Sequence, residues 1–353
     1  MHLLHENYVL DPDEQYSLHV TAKRYWTAAS DTQKYHPDAL TLIFLHSTSF
    51  HKETWEPCLE RFFTSVASGK DGAPIQEAWA IECPNHGASA ELNEAVLRLP
   101  EFIDDFTCEK YAFAVHRFLL AGTNKGAKVD FKSRRLIGVG HSLGGVAMTI
   151  LQYLQPNIKF RSIILIEPML SPNGPDHLLP LRKELIRGAY ERRDVWPTRQ
   201  SAFENLKRRK RTETWHPSIL EVYVKHGLRD HPGSRFKDAP YGGVTLSCTR
   251  EQEAAMYRDA FGPTKPVFDL NKACNEMPVH LILGKVNDFI PRIVQEALIE
   301  PTSPRKFASI SWLEGTGHLI PQESPDALAK LLARLLCVRK NLESTSKNSR
   351  HKL

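Results

Sequence analysis

Short apolar runs alternate with amphipathic stretches through most of the chain. Alternating apolar positions at Asn7–Leu10 and Tyr16–Tyr25, split by Asp11-Pro12-Asp13-Glu14, predict an opening β-hairpin. Six apolar runs follow at Leu40–His46, Ala78–Cys83, Arg135–Gly140, Ser162–Glu167, His280–Gly284 and Ala308–Leu313, with helix-period sequence between most of them. Strands without a polar face are buried on both sides, so the pattern predicts an α/β fold: a mainly parallel sheet with helices on both faces. The last predicted element is a helix from about Ser324 to Lys340. Ser324 can cap it, Pro325 suits its first turn, and Leu328, Leu331, Leu332, Leu335 and Leu336 make one apolar face.

The alternation fails between Glu167 and Met277, where the patterns are helical and Trp196, Trp215, Tyr223, Tyr241 and Tyr257 are dispersed. An insertion at this point overlies the C-terminal strand ends, where α/β sheets bind their ligands. The expected organisation is therefore a core of residues 1–167 and 278–340, a helical cap or lid of residues 168–277, and a flexible tail of residues 341–353.

Bulk properties narrow the class only a little. At 353 residues the chain can bury such a core, and its 25% charged and 41% hydrophobic content is that of a soluble enzyme. No apolar run is long enough to span a membrane. Met1–Tyr16 carries Glu6, Asp11, Asp13 and Glu14 and lacks the basic-then-apolar order of a signal peptide. The six cysteines are scattered with no C-x-x-C pair, which points to reduced thiols in an intracellular protein rather than a zinc site or disulfide framework. A net charge of +5 does not argue for nucleic acid. That excess is concentrated in Pro168–Met277, with 19 Lys and Arg against 14 Asp and Glu, and is densest at Lys207-Arg208-Arg209-Lys210-Arg211.

The candidate chemistry begins at Ser142, in Gly138-Val139-Gly140-His141-Ser142-Leu143-Gly144-Gly145. A strand before this Gly-x-Ser-x-Gly turn and a helix after it make a nucleophile elbow, in which a strained serine needs neighbours without side chains. A serine hydroxyl needs a base, and the base needs an orienting acid. His318 is the candidate base. It follows the last strand in Glu314-Gly315-Thr316-Gly317-His318, where glycines free a loop to carry it over the sheet edge.

With these motifs in this order, the chain from roughly Leu40 to Lys340 resembles the α/β-hydrolase superfamily, and Cys83-Pro84-Asn85-His86-Gly87-Ala88-Ser89 resembles the loop after its fourth strand. The resemblance implies an acid after the penultimate strand, in a G-x-x-D pattern with a proline four residues later. Here Gly284-Lys285-Val286-Asn287-Asp288-Phe289-Ile290-Pro291 puts Asn287 in that place and Asp288 one residue late. Some members draw the acid from the strand after the nucleophile, where this chain has Glu167. Glu167, on a strand end beside the elbow from which it can reach the back of His318, is therefore the first candidate and Asp288 the alternative. The oxyanion hole implied by the family takes backbone N–H groups from Leu143 and from the loop after the third strand, with Thr48 first and Ser47 next, where His46-Ser47 departs from the common His-Gly. A serine nucleophile suits acyl transfer from esters or thioesters, with no metal or organic cofactor implied.

Ser49-Phe50-His51-Lys52-Glu53-Thr54-Trp55, Arg193-Asp194-Val195-Trp196-Pro197 and Tyr223–Arg229 resemble a narrower group, the fungal hydrolases of toxin and secondary-metabolite pathways with peroxisomal acyl-CoA hydrolases and lipases. The group implies a small acyl substrate, either an acyl-CoA thioester or a lipophilic ester. Lys207, Arg208 and Arg211 would then be placed to meet the phosphates of coenzyme A. The ending Ser349-Arg350-His351-Lys352-Leu353 is close to the Ser-Lys-Leu address read by the peroxisomal import receptor, with cytoplasm as the alternative location. The competing functions are a general carboxylesterase or lipase, and a hydrolase-fold protein that binds a ligand without turnover. Oligomeric state leaves no trace in the sequence.

Overall fold

The computed structural model describes residues 2–32, 36–68, 74–235 and 241–337. Its strands are β1 Leu4–Leu10, β2 Val20–Trp26, β3 Leu40–Leu45, β4 Ile75–Ile81, β5 Arg135–His141, β6 Phe160–Ile166, β7 Val195–Trp196, β8 Leu228–Asp230, β9 Val244–Leu246, β10 Val279–Gly284 and β11 Ser309–Leu313. Eight of them form one sheet in the order β1-β2-β4-β3-β5-β6-β10-β11. The β1–β2 and β2–β4 pairings are antiparallel and the rest are parallel.

The principal helices are α1 Glu56–Ser68, α2 Cys108–Leu120, α3 Leu143–Leu151, α4 Leu179–Glu191, α5 Arg199–Lys207, α6 Pro217–His226, α7 Arg250–Arg258, α8 Pro266–Glu276, α9 Arg292–Leu298 and α10 Pro325–Cys337. The two faces of each central strand feed separate cores. Ile43 and Leu45 of β3 pack with α2 and α3, whereas Leu42 and Phe44 pack with Phe62 of α1 and Leu328 and Leu332 of α10. This period-two division is why the central strands read as unbroken apolar runs. The expected extension of the last helix to Lys340, the tail and the C-terminal tripeptide lie outside the described residues.

The insertion between β6 and β10 departs from the expectation of helices alone. It contains a three-stranded antiparallel sheet, ordered β7-β9-β8. Strands of two and three residues are too short to show an alternating pattern. Nor is residues 168–277 all cover. Val267, Leu270 and Ala273 of α8 join the core cluster of Val146 and Met148 in α3, which draws the end of the insertion into the helical layer of the core. The remaining cap has its own cluster, which includes Trp196, Leu206, Leu220 and Tyr223 and closes on Phe50 from the loop after β3. The cap therefore sits directly on that loop.

Candidate active site

Ser142 lies between β5 and α3 with φ +53° and ψ −118°, a backbone state costly for any residue with a Cβ. Its neighbours explain how the turn is tolerated. A Cβ on Gly140 would lie 2.5 Å from the carbonyl oxygen of Gly144, and one on Gly144 would lie 2.4 Å from that of His46. The Ser142 N–H donates to Ile166 O at 3.0 Å, and its carbonyl accepts from Gly145 and Val146. The hydroxyl-bearing residue is 5% exposed.

The loop after β11 brings His318 to this hydroxyl. Nε2 lies 3.0 Å from Ser142 Oγ, and Nδ1 lies 3.3 Å from Glu167 Oε2. The imidazole stacks on Phe289 with centroids 4.2 Å apart, and the His318 carbonyl accepts from His141 Nε2 at 2.9 Å. Burial, helped by the neighbouring His318, holds the His141 pKa well below its ordinary value, so that ring is a neutral support.

The two candidate acids have different partners. Glu167 is 1% exposed at the end of β6, with φ +42°. Besides facing His318 Nδ1, its Oε1 accepts the Gly284 N–H at 2.7 Å, and both oxygens accept from Gln295 Nε2 at 3.2 Å. Asp288 meets the backbone instead of the ring: its Oδ1 accepts the His318 N–H at 2.8 Å. Asn287, in the place where the family resemblance implies an acid, donates from Nδ2 to Ile290 O at 2.8 Å and to Gln295 Oε1 at 3.2 Å. That contact sets the direction of the Gln295 amide and leaves its nitrogen for Glu167. Gln295, on α9 and outside any motif, was invisible in the sequence. The Asn at position 287 was the one available hint.

The N–H groups of Ser47, Thr48 and Leu143 find no protein acceptor among the described residues. Leu143 opens α3, where the helix dipole adds positive potential. The loop carrying Ser47 and Thr48 is pinned by two buried histidines. His46 donates from Nδ1 to Ser47 O at 2.8 Å and accepts the Cys83 N–H on Nε2 at 3.1 Å. His86 bonds Asn85 Oδ1 at 2.7 Å and accepts the Ser49 N–H at 3.0 Å. Burial lowers His46 to about 4 and His86 well below its usual range, so both stay neutral acceptors. Lys52 adds a buried ion pair to Glu82 at 2.9 Å. The structural work of His86 and Glu82 was not read from the sequence.

The basic run divides. Lys207 and Arg208 are exposed and line no described cavity near the loop, contrary to the expectation that they face substrate. Arg211 does line one. A cavity of about 70 Å³ lies between cap and loop, bounded by Arg192, Arg193, Arg209 and Arg211 with Ser49 and Phe50. A larger cavity, about 450 Å³, lies between Leu97, Arg229 and Gln252 and touches none of the candidate catalytic side chains. Among the described residues no three His, Cys, Asp or Glu side chains converge as a metal ion would need. No helix among them is long and apolar enough to cross a membrane.

A model of the alpha/beta hydrolase family matches residues 42–331. The chain is 28% identical over 207 residues to a type I acyl-CoA thioesterase, mpaH, of Penicillium roqueforti; the match spans 57% of this chain and 42% of that protein. It is 27% identical over 223 residues to the abhydrolase domain-containing protein AKT2 of Alternaria alternata, covering 56% of this chain and 81% of the relative. The chain thus spans about two fifths of the length of the thioesterases it matches. Among solved structures, the peroxisomal alpha-beta-hydrolase Lpx1 of Saccharomyces cerevisiae superposes with a TM-score of 0.72 at 19% identity, over 95% of this chain and 88% of that one. A thioesterase domain from the curacin biosynthetic pathway superposes with a TM-score of 0.64 at 14% identity, over 93% and 98%. At these identities the structures speak for the fold alone.

Proposed function

The chain belongs to the alpha/beta hydrolase family, and from that premise we propose that it is a serine hydrolase cleaving an acyl ester or thioester through an acyl-enzyme. The observation that carries the reading is the His318 imidazole, with one nitrogen 3.0 Å from Ser142 Oγ and the other 3.3 Å from Glu167 Oε2. In the proposed reaction, Ser142 Oγ attacks the acyl carbon while its proton passes to His318 Nε2. Glu167 holds the Nδ1 proton and stabilises the imidazolium. The Leu143 and Thr48 N–H groups, with Ser47 as the alternative donor, take the developing oxyanion. Collapse returns the proton from Nε2 to the departing alcohol or thiol. Water then attacks the acyl-enzyme with the same base, releasing the acid and restoring Ser142. Asp288 is assigned to loop support, because it holds the His318 backbone.

The substrate class favoured here is an acyl-CoA thioester or a lipophilic ester. The fungal thioesterase relatives support the thioester side, and so does the arginine-lined cavity beside the loop. The rival of another kind is a ligand-binding protein without turnover. A fluorophosphonate probe separates the two. The wild type is expected to label, and Ser142→Ala is expected to lose all labelling while keeping its circular dichroism spectrum. Well-folded wild type that neither labels nor turns over any ester or thioester would overturn the reading.

A further inference from the structure

We propose that the cap contains an anion subsite, centred on Arg209 and Arg211, that receives a phosphate group carried by the substrate away from its scissile bond. The proposal deepens the hydrolase reading and rests on it for the word substrate, though the binding itself can be measured without turnover.

The charge arrangement comes first. Four guanidinium groups border the cavity, and no carboxylate is among its lining residues. Among the described residues only Arg192 has an ion partner, Glu253 at 2.5 Å, which also accepts the Ser49 hydroxyl at 2.5 Å. The others have neutral partners or none. Arg193 donates to Val195 O at 2.9 Å and Arg209 to Asn205 Oδ1 at 3.1 Å, while Arg211 has no described partner. Burial and the crowding of Arg192, Arg193 and Arg211 push the Arg209 pKa down, the mark of several cations held close together with Glu253 as the one described counter-charge. Such a cluster is relieved by an anion, and the planar guanidinium fork matches phosphate oxygens two at a time.

A second observation is independent of charge. The Trp215 indole N–H is buried and has no acceptor. Trp215 also borders the cavity, held by ring contacts to Phe50 at 5.2 Å and Tyr223 at 5.5 Å. The nearby Trp196 indole, by contrast, is satisfied by Asn205 Oδ1 at 3.1 Å. Of the two indoles that border the cavity, Trp215 is the one whose donor is left open. The cavity is small, about 70 Å³, and open to solvent, so a phosphate group can reach the arginines from outside.

Position supplies the functional meaning. Ser49 and Phe50, in the cavity wall, directly follow Thr48, a candidate oxyanion donor. Glu253 links the same loop to Arg192. A phosphate bound here anchors the substrate through the loop that meets its carbonyl, and it favours phosphate-bearing substrates over neutral esters of the same acyl group.

The test uses the full chain. Inorganic pyrophosphate is titrated into it by calorimetry and by Trp fluorescence at fixed ionic strength. Arg211→Ala and Arg209→Lys are each expected to weaken binding about tenfold or more. The former removes an exposed side chain with no described partner, so folding is not at stake. Lys207→Ala and Arg208→Ala, outside the cavity, are expected to change binding less than twofold. Kinetics then locate the phosphate. One acyl group is presented as its coenzyme A thioester and as its N-acetylcysteamine thioester. A KM ratio between the two that collapses tenfold in Arg211→Ala places the phosphate on the leaving group. An unchanged ratio alongside lost pyrophosphate binding places it on the acyl side. Pyrophosphate binding that survives Arg211→Ala and Arg209→Lys, or that depends equally on Lys207 and Arg208, overturns the subsite. Absence of turnover in the wild type would instead overturn the hydrolase reading and leave the binding result standing.

Discussion

Replacing Glu167 by Gln and Asp288 by Asn separates the two carboxylates by what each one touches. The imidazolium of the proposed reaction would be buried, with His318 3% exposed and Glu167 1% exposed. It faces the Glu167 charge across 3.3 Å. Both charges are delocalised, so their centres are about 4 Å apart, and at an effective dielectric near 20 the pairing is worth about 4 kcal/mol, or on the order of 10³ in rate. Hydrogen-bond directions make the loss in Glu167→Gln larger. The Gly284 N–H and Gln295 Nε2 both donate to residue 167. The new amide must turn its oxygen to them and its nitrogen to His318. An amide nitrogen facing Nδ1 favours the tautomer with its proton on Nε2, which cannot accept from Ser142. The expected fall in kcat/KM is therefore 10³ to 10⁴. In Asp288→Asn, the amide oxygen still accepts the His318 N–H, and only the charge assistance is lost, about 1 kcal/mol, or roughly fivefold. The assay is thiol release from an acyl thioester under single turnover, with circular dichroism to verify folding. A fall beyond 10³ in Asp288→Asn with less than tenfold in Glu167→Gln would refute the assignment.

The pinned loop makes the fold acid-sensitive. His46 titrates near 4 in the folded protein against an ordinary 6.5, so the unfolded chain binds more protons through that window and stability falls as pH falls. From pH 7 to pH 5 the loss from His46 alone is about 2 kcal/mol, with His86 and His141 acting in the same direction; equal urea midpoints at the two pH values would contradict this. Gly144→Ala places a Cβ 2.4 Å from His46 O and 2.5 Å from Leu45 O, both backbone atoms, and should cost about 2–3 kcal/mol in urea unfolding together with probe labelling. Gln295→Leu removes the amide donor from both Glu167 oxygens; kcat should fall ten- to a hundredfold, and the acidic limb of the pH profile should move up, because a less compensated Glu167 holds the His318 proton more tightly. A merely structural role for Gln295 would leave that limb in place.

The sheet was legible because β3, β4, β5, β6 and β10 are buried on nearly their whole length, and each apolar run from Leu40 to Leu313, the half-exposed edge strand β11 included, lies within three residues of an observed strand end. The elbow was legible because backbone crowding around Ser142 admits only glycine at positions 140 and 144. The small cap sheet was not, since a ladder of two or three residues is chosen by tertiary packing and not by local pattern. The basic run shows a different limit. α5 ends at Lys207 and the chain then turns, so consecutive basic residues leave it in different directions. Arg209 and Arg211 face the cavity with Arg192 and Arg193 from another segment, and Lys207 and Arg208 face solvent. Spacing along a sequence does not report convergence across an insertion.

Asn287 connects the strongest doubt in the sequence to the geometry around His318. A carboxylate there would be superfluous only if another stands behind His318, and Glu167 at the end of β6 does. It would also be harmful. Gln295 has one donor end and one acceptor end. Asn287 donates to the acceptor end, which leaves the donor end for Glu167. An ionised Asp has no proton to give. Gln295 would flip to donate to it, present its oxygen to Glu167, and put two acceptors face to face in a buried site. With Asp288 already on the His318 backbone, a third carboxylate would also crowd like charge around one imidazole. The neutral residue at position 287 is thus tied to the proposed placement of the acid at the end of β6. In this arrangement, Asn287, Gln295 and Glu167 act as one unit, and the departure from the family pattern follows from where that unit begins.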